Sequence, residues 1–531
     1  MSLPRTRSLH VRRMIVAALA LSLTASFTVA TAGAAHAAEG SEPGTFVSLD
    51  PARILDTRVG NGAPQAPVGA YGTVSLQVTD RGGVPATDVA AVVVNVTVTG
   101  SSTAGFITVY PSGTSMPTAS NLNFTAGQNI PNLVTVKVGA DGKIDLTNWS
   151  AGTAHLIADV AGYYLAGTAT VPGAFVSLDP LRILDTRVGN GAPKAPVGAY
   201  GTVGLQVTGR GGVPQTGVAA VVVNVTVTAS SAAGFITVYP FGTSMPTASN
   251  LNFTAGQNIP NLVTVKVGTG GKIDLANWSA GTAHLIADVA GYYLAGTATA
   301  PGAFVSLDPS RLLDTRIGNG AAQAPVVADG TVSLQVTDRG GVPSPGAVAV
   351  VVNVTVTGPA SGGFITVYPF GTSMPTASNL NFSAGQTIPN LVTVKIGGNG
   401  KIDLTNNSAG NVHMIADVAG YFIASPEEPS EVWPTGRLFD RCGTEQDGLL
   451  LLATPGIVYS PEGPLISYQG ESYYQYTPDE NREVVVTGSA EPGYVIMMGY
   501  WPEWVVTNDD GSLTGTIPFT DEPCPVEPTA G

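Results

Sequence analysis

Charge is scarce in this chain, at 11% of residues against roughly 25% in ordinary soluble proteins. One six-residue stretch nevertheless concentrates it three times: RILDTR at Arg53–Arg58, RILDTR at Arg182–Arg187 and RLLDTR at Arg311–Arg316. Each is matched downstream by an aspartate inside an otherwise apolar run, Asp159, Asp288 and Asp417. The candidate set is thus Arg53, Asp56, Arg58 and Asp159, then Arg182, Asp185, Arg187 and Asp288, then Arg311, Asp314, Arg316 and Asp417. Two guanidiniums and a carboxylate can offer forked donors to a sugar or carboxylate ligand. They can equally form an internal latch, because a carboxylate in an apolar strand requires a cation, from Arg58 or Arg53. Alternation places Asp56 and Arg58 on one strand face and Arg53 on the other, unless the turn at Pro51 redirects it. We favour the latch and retain the same residues as ligand-binding candidates.

Catalytic chemistry finds little support. After the N-terminal leader only His155, His284 and His413 remain. His155 and Asp159 stand four apart on a strand, about 13 Å at about 3.3 Å per residue, so they form no dyad. No G-x-S-x-G elbow is present, GNGAPQ at Gly60–Gln65 lacks the third glycine of a dinucleotide fingerprint, and no metal-ligand spacing exists. We therefore expect no enzyme and no cofactor; a hydrolase would require His155 and Asp56 to converge. Aromatic side chains offer another route, since sugars stack on flat rings. Trp149 and Trp278 correspond to Asn407 in the third copy, so either that copy is inactive or the tryptophan is incidental.

The elements that must position these residues follow from an internal repeat. Phe46, Phe175 and Phe304 open three copies at a period of 129 residues, without insertions. Copies one and two are nearly identical and the third has drifted. VVVNVTVT, LVTVKV and KIDL alternate strictly and read as antiparallel strands with one apolar and one solvated face. The residue pairs Asp141-Gly142, Gly270-Gly271 and Asn399-Gly400 all tolerate positive φ, as a two-residue hairpin turn requires. With FVSL, TVSLQV, GFITVYP, SNLNF and HLIADVAGYY this makes about eight strands per copy. The fold class is all-β: three tandem antiparallel β-sandwich modules of jelly-roll type, residues 46–166, 175–295 and 304–424. Short Gly/Pro/Thr linkers suggest semi-rigid beads on a string.

Together, DPxRxLDTRxGxG, VVVNVTVT, GFITVYP, SNLNF, NLVTVKVG and HLIADVAGYY resemble a module of secreted and surface proteins of actinobacteria. That resemblance covers all three copies. It implies an accessory or surface module without a catalytic role, found in tandem and beside varied partner domains, and names no ligand. Beyond a linker at 425–433, residues 434–531 read as a small β-sandwich, and VTGSAEPGYVI is similar to immunoglobulin-like repeats of actinobacterial surface proteins. Cys442 and Cys524, the two cysteines of the chain, are expected to form one disulfide, as exported domains favour. Closing that loop would stabilise the domain by about 4–5 kcal/mol.

The leader itself, residues 1–37, has a basic start, an apolar stretch at Met14–Thr24 and an Ala35-His36-Ala37 cleavage motif, the marks of a secretory signal peptide. No later apolar run is long enough for a membrane helix. Residues 426–531 carry 18 acidic and three basic residues, net −15, and no basic stripe suits nucleic acid. The expected protein is secreted or cell-wall associated and non-catalytic, serving display, spacing or adhesion. Multivalent binding of cell-wall or extracellular polysaccharide is the alternative.

Overall fold

The computed structural model describes residues 42–425 continuously and, beyond them, the strands lying between residues 430 and 518 with Pro464 and Ser512. The leader, Cys442 and Cys524 lie outside the described residues, and with them the signal-peptide and disulfide expectations. The described chain is all-β apart from single 3-10 turns, and no helix in it is long and apolar enough to cross a membrane.

The first copy forms β1 (Phe46–Asp56), β2 (Thr73–Gln77), β3 (Val89–Thr99), β4 (Gly105–Pro111), β5 (Leu122–Phe124), β6 (Ile130–Lys137), β7 (Lys143–Ser150) and β8 (His155–Leu165). The second repeats these as β9–β16 between Phe175 and Leu294, and the third as β17–β24 between Phe304 and Ile423. Each copy builds two four-stranded antiparallel sheets, in the orders β1-β8-β3-β6 and β2-β7-β4-β5 for the first. Valines 92, 94, 96 and 98 of the first sheet share one apolar core with Leu76, Ile107, Ile144 and Leu146 of the second. β-Branched side chains at every second position suit a pleated surface packed on one side, which is why these segments become strands. In all three copies the turn before β7 or its counterpart has both central residues at positive φ: Asp141 and Gly142, Gly270 and Gly271, Asn399 and Gly400.

The six sheets are arranged like the blades of a six-bladed propeller. Their innermost strands include β13 (Leu251–Phe253), β14 (Ile259–Lys266), β21 (Leu380–Phe382) and β22 (Ile388–Lys395). β5 lies beside β6, β6 beside β21, β21 beside β22, β22 beside β13, β13 beside β14, and β14 beside β5, closing a ring. The copies are therefore not beads on a string. Backbone bonds close the same circle at the linkers: Phe175 N–H donates to Gly44 O, Phe304 N–H to Gly173 O and Phe46 N–H to Gly302 O.

Six aromatic rings fill the centre. Phe46, Tyr164, Phe175, Tyr293, Phe304 and Phe422 follow one another with centroids 4.2–5.2 Å apart. The spacing alternates between about 5.1 Å within a copy and about 4.3 Å between copies. Tyr164 and Tyr293 share a 2.6 Å hydrogen bond between their hydroxyls, and burial raises the pKa of both phenols. Gly162 makes room for this ring: a Cβ there would collide with the Phe46 ring and Val47 O. The glycine of VAGYY is thus an aromatic's contact surface.

The polar face of β3 does not meet water. Asn95 and Thr97 are buried, like Asn132 on β6. Asn95 Nδ2 donates to Ser378 O of the third copy at 2.6 Å, and Asn132 Nδ2 donates to Asn224 Oδ1 of the second at 2.9 Å. Asn390 Nδ2 and Asn261 Nδ2 repeat the latter contact at the other two interfaces. This corrects the one-side-solvated reading: period-two alternation separates apolar from polar faces, but cannot tell water from a neighbouring copy's carbonyls.

Among the described residues between 430 and 518 there are ten further short strands. Eight lie in two four-stranded antiparallel sheets, and Ser430–Val432 pairs in parallel with Tyr494–Ile496. Val484 and Val486 are buried while Val485 between them is exposed, the alternation of a strand with one solvated face.

Candidate functional site

The charged cluster owes its geometry to a β-bulge. On β1, Arg53 is opposite Asp159 and Leu55 opposite Ala158, so Ile54 is an extra residue. One inserted residue inverts the alternation beyond it. Arg53 and Asp56, three apart, therefore reach the same face, where regular alternation had separated them. Arg53 Nε and Nη2 grip Asp159 at 2.8 and 3.1 Å. Its Nη1 lies 3.4 Å from Asp56 Oδ2, and Nη2 also donates to Thr376 O of the third copy at 3.0 Å. Arg58 forks onto Asp56 at 2.9 and 2.7 Å, and its own N–H bonds the same carboxylate.

The partner of Asp159 is thus Arg53, while Arg58 serves Asp56. The same contacts recur at Arg182, Asp185, Arg187 and Asp288, with Arg182 reaching Thr118 O of the first copy at 3.1 Å. They recur again at Arg311, Asp314, Arg316 and Asp417, with Arg311 reaching Thr247 O of the second copy at 3.2 Å. All twelve candidate residues therefore come together in three sets of four, each stitched to the preceding copy.

Electrostatics distinguish the two carboxylates. The Arg58 fork holds Asp56 below the usual carboxylate range, against a smaller opposing effect of burial. Asp159 is pushed up instead, because burial outweighs the Arg53 bonds. Asp185 and Asp314 follow the first pattern, Asp288 and Asp417 the second. His155 Nδ1 lies 2.9 Å from Thr57 Oγ1, which accepts the Leu156 N–H. The histidine is engaged by that threonine rather than by Asp56.

A second feature lies on the sheet β2-β7-β4-β5. Trp149 is 44% exposed beside Tyr71, 57% exposed, the rings edge to face at 5.2 Å. Phe106, opposite Trp149 across the sheet, adds a third ring at 6.3 Å. The second copy repeats this with Trp278, Tyr200 and Phe235. Tyr71 and Tyr200 have φ of 54° and 55°, a left-handed backbone that a bulky side chain adopts at a cost of about 1–2 kcal/mol. In the third copy both aromatics are gone: Asp329 and Asn407 stand there, and Asp329 keeps φ at 55°. An acidic or amide residue is the ordinary occupant of that conformation; a tyrosine is not. Reading the sequence identified the tryptophans but missed their tyrosine partners. The usable signal was the joint loss of the two residues in copy three.

No protein-family model matches this chain, and no curated protein matches it in sequence. Among solved structures, similarity extends to one described as the triple jelly roll fold and turret assembly in an archaeal virus (11% identity, 72% of this chain and 90% of that one, TM-score 0.17). It extends also to a Sulfolobus turreted icosahedral virus structure (12%, 72% and 92%, TM-score 0.16). A third is the tandem CBM22 domain of Xyn10C from Paenibacillus barcinonensis (10%, 47% and 99%, TM-score 0.16). At scores this low, none of them assigns a fold or a ligand to this chain.

Proposed function

We propose that this is an exported, non-catalytic adhesion and display protein that binds extracellular or cell-wall polysaccharide through two aromatic platforms, Tyr71 with Trp149 and Tyr200 with Trp278. One observation carries the reading: an exposed Trp–Tyr pair whose tyrosine sits in a costly backbone conformation, and whose members are kept or lost together. Exposed single apolar residues are common and need no explanation; a paired, strained one gains from a ligand. Flat rings side by side suit the apolar faces of successive sugar units. Each copy is read as a jelly-roll-like sandwich of the surface-module class the sequence resembles. The tail is read as an immunoglobulin-like domain closed by Cys442 and Cys524. The secretory leader supports an extracellular place, and the closed ring of copies gives two weak sites a fixed separation, which favours avidity over long chains.

The test is co-sedimentation of the full chain with insoluble peptidoglycan, chitin and cellulose. Trp149→Ala with Trp278→Ala is expected to reduce retention at least tenfold without lowering the melting temperature. Undiminished retention would remove the platform reading and leave a spacer without ligand.

A further inference from the structure

Between the first and second copies runs an open groove of about 600 Å³. Phe106 and Gln128 of the first copy line one wall, Gln257 and Asn258 of the second copy the other, and no lining residue is charged. The loops TAGQN at Thr125–Asn129 and Thr254–Asn258 set the glutamines in advance. Gln128 Oε1 accepts the N–H and the hydroxyl of Thr125 at 3.0 and 3.2 Å. Gln257 Oε1 accepts those of Thr254 at 2.9 and 3.3 Å. Asn258 Oδ1 accepts Asn123 Nδ2 across the joint at 3.3 Å. In each side chain the oxygen is committed to the protein and the amide nitrogen keeps its two donors. No hydrogen bond among the described residues engages those nitrogens. Gln128 and Gln257 are half-buried and Asn258 is exposed, so all three are accessible from the groove.

Phe106 joins this groove to the first aromatic platform, since its ring also lies 6.3 Å from that of Trp149. We propose that platform and groove form one extended site for an uncharged polysaccharide. Tyr71, Trp149 and Phe106 stack on sugar faces, while Gln128, Gln257 and Asn258 donate to hydroxyl or acetamido oxygens of neighbouring units. The polysaccharide class rests on the function proposed above; the groove and the preference for an uncharged chain are added here. A uronate or phosphate would give up its water for walls that hold no cation, and hydroxyl or acetamido groups pay no such penalty. The other two joints are less complete. At the second, Thr387 stands in the place of Asn258, its hydroxyl 2.8 Å from that of Thr357. At the third, the adjoining copy has Asn407 in place of the tryptophan. Platform and amide groove thus coincide at the first joint.

Calorimetric titration of the full chain with cellohexaose, the hexamer of N-acetylglucosamine, their dimers and hexagalacturonate tests this. One of the two neutral hexamers should occupy one tight site per chain, at least tenfold more tightly than its dimer and than hexagalacturonate. Gln128→Glu, Gln257→Glu and Asn258→Asp together keep each orienting oxygen and remove each donor. Hexamer affinity should then fall at least tenfold, and its advantage over the dimer should vanish. Asn258→Thr, which repeats the residue found at Thr387, is the milder variant and should cost about threefold. Hexamer binding indifferent to both changes would overturn the groove, as would hexagalacturonate bound equally tightly or no hexamer bound at all. The platform reading fails by a separate result, retention on insoluble polysaccharide undiminished by Trp149→Ala with Trp278→Ala.

Discussion

The two sheets of each copy have diverged unequally. In the sheet that carries the charged cluster the third copy keeps the charged and amide contacts: Arg311, Asp314, Arg316, Asp417, Asn353 and Asn390 occupy the places of Arg53, Asp56, Arg58, Asp159, Asn95 and Asn132. On the other sheet it has lost Tyr and Trp together, to Asp329 and Asn407. The difference separates two kinds of constraint. A ring of three copies closes only if all three joints are made, so a defect in one copy is felt by the whole body. An exposed aromatic pair serves its own copy, and losing one pair leaves the fold untouched. The charged cluster, conspicuous as a potential active site, belongs to the first kind.

The comparison can be broken most directly at Arg53. Replacing it with alanine leaves Asp159 buried without its cation and removes the bond to Thr376 O. The expected loss is about 3–5 kcal/mol, read from denaturant unfolding at neutral pH. Arg58→Ala should cost only about 1 kcal/mol, because Arg58 is 45% exposed and exposed pairs contribute little. Equal costs for the two would contradict the division of labour between the arginines. Next in size is the hydroxyl pair at the centre. Tyr164→Phe strands the Tyr293 hydroxyl in the core and should cost about 1–3 kcal/mol, whereas changing both to Phe should restore most of it. The third copy, with Phe422 in that place, already shows that a phenylalanine packs there.

Much of this was legible beforehand, and what was hidden had specific physical causes. Strands, repeat and hairpin turns follow from local signals: β-branched alternation, fixed spacing, and Asp, Asn or Gly where φ is positive. The pairing of Arg53 with Asp159 was half visible, since a buried carboxylate must find a cation. Which arginine answered depended on the bulge at Ile54, which no residue type announces. The joints were hidden because Asn95, Thr97 and Asn132 are polar, and polar alternation was assigned to solvent. The carbonyl partners of the two asparagines lie 92 to 295 positions away in the chain, beyond any local pattern.

Acid provides a smaller and oppositely signed probe of the cluster. Asp56, Asp185 and Asp314 have depressed pKa values in the folded protein. Their contribution is present above the unfolded carboxylate value, about 3.9, and is lost as pH falls through the lower folded value. Asp159, Asp288 and Asp417 are raised, so their contribution is present below about 3.9 and lost as pH rises through the raised value. The two windows adjoin rather than overlap, so stability should rise as pH falls from neutrality toward about 4 and fall again in stronger acid. Replacing Arg58, Arg187 and Arg316 with glutamine removes the first contribution. The variant should fall below wild type at neutral pH and converge with it in strong acid. A constant offset at every pH would show that the forks do not hold the carboxylates down.

The smallest change in stability should accompany the largest gain of function. Asp329→Tyr with Asn407→Trp rebuilds the aromatic pair on the third copy, where the backbone already holds φ at 55°. The tyrosine meets the same left-handed cost of about 1–2 kcal/mol that Tyr71 and Tyr200 bear, offset in part by about 0.5–1.5 kcal/mol from the ring contact with the new tryptophan. The melting temperature should therefore barely move. Retention on insoluble polysaccharide should rise, because a third site on one rigid body multiplies avidity rather than adding to it. Retention unchanged by a correctly folded graft would mean that the pair in copies one and two is surface chance. The joint loss of Tyr and Trp in copy three would then be simple drift.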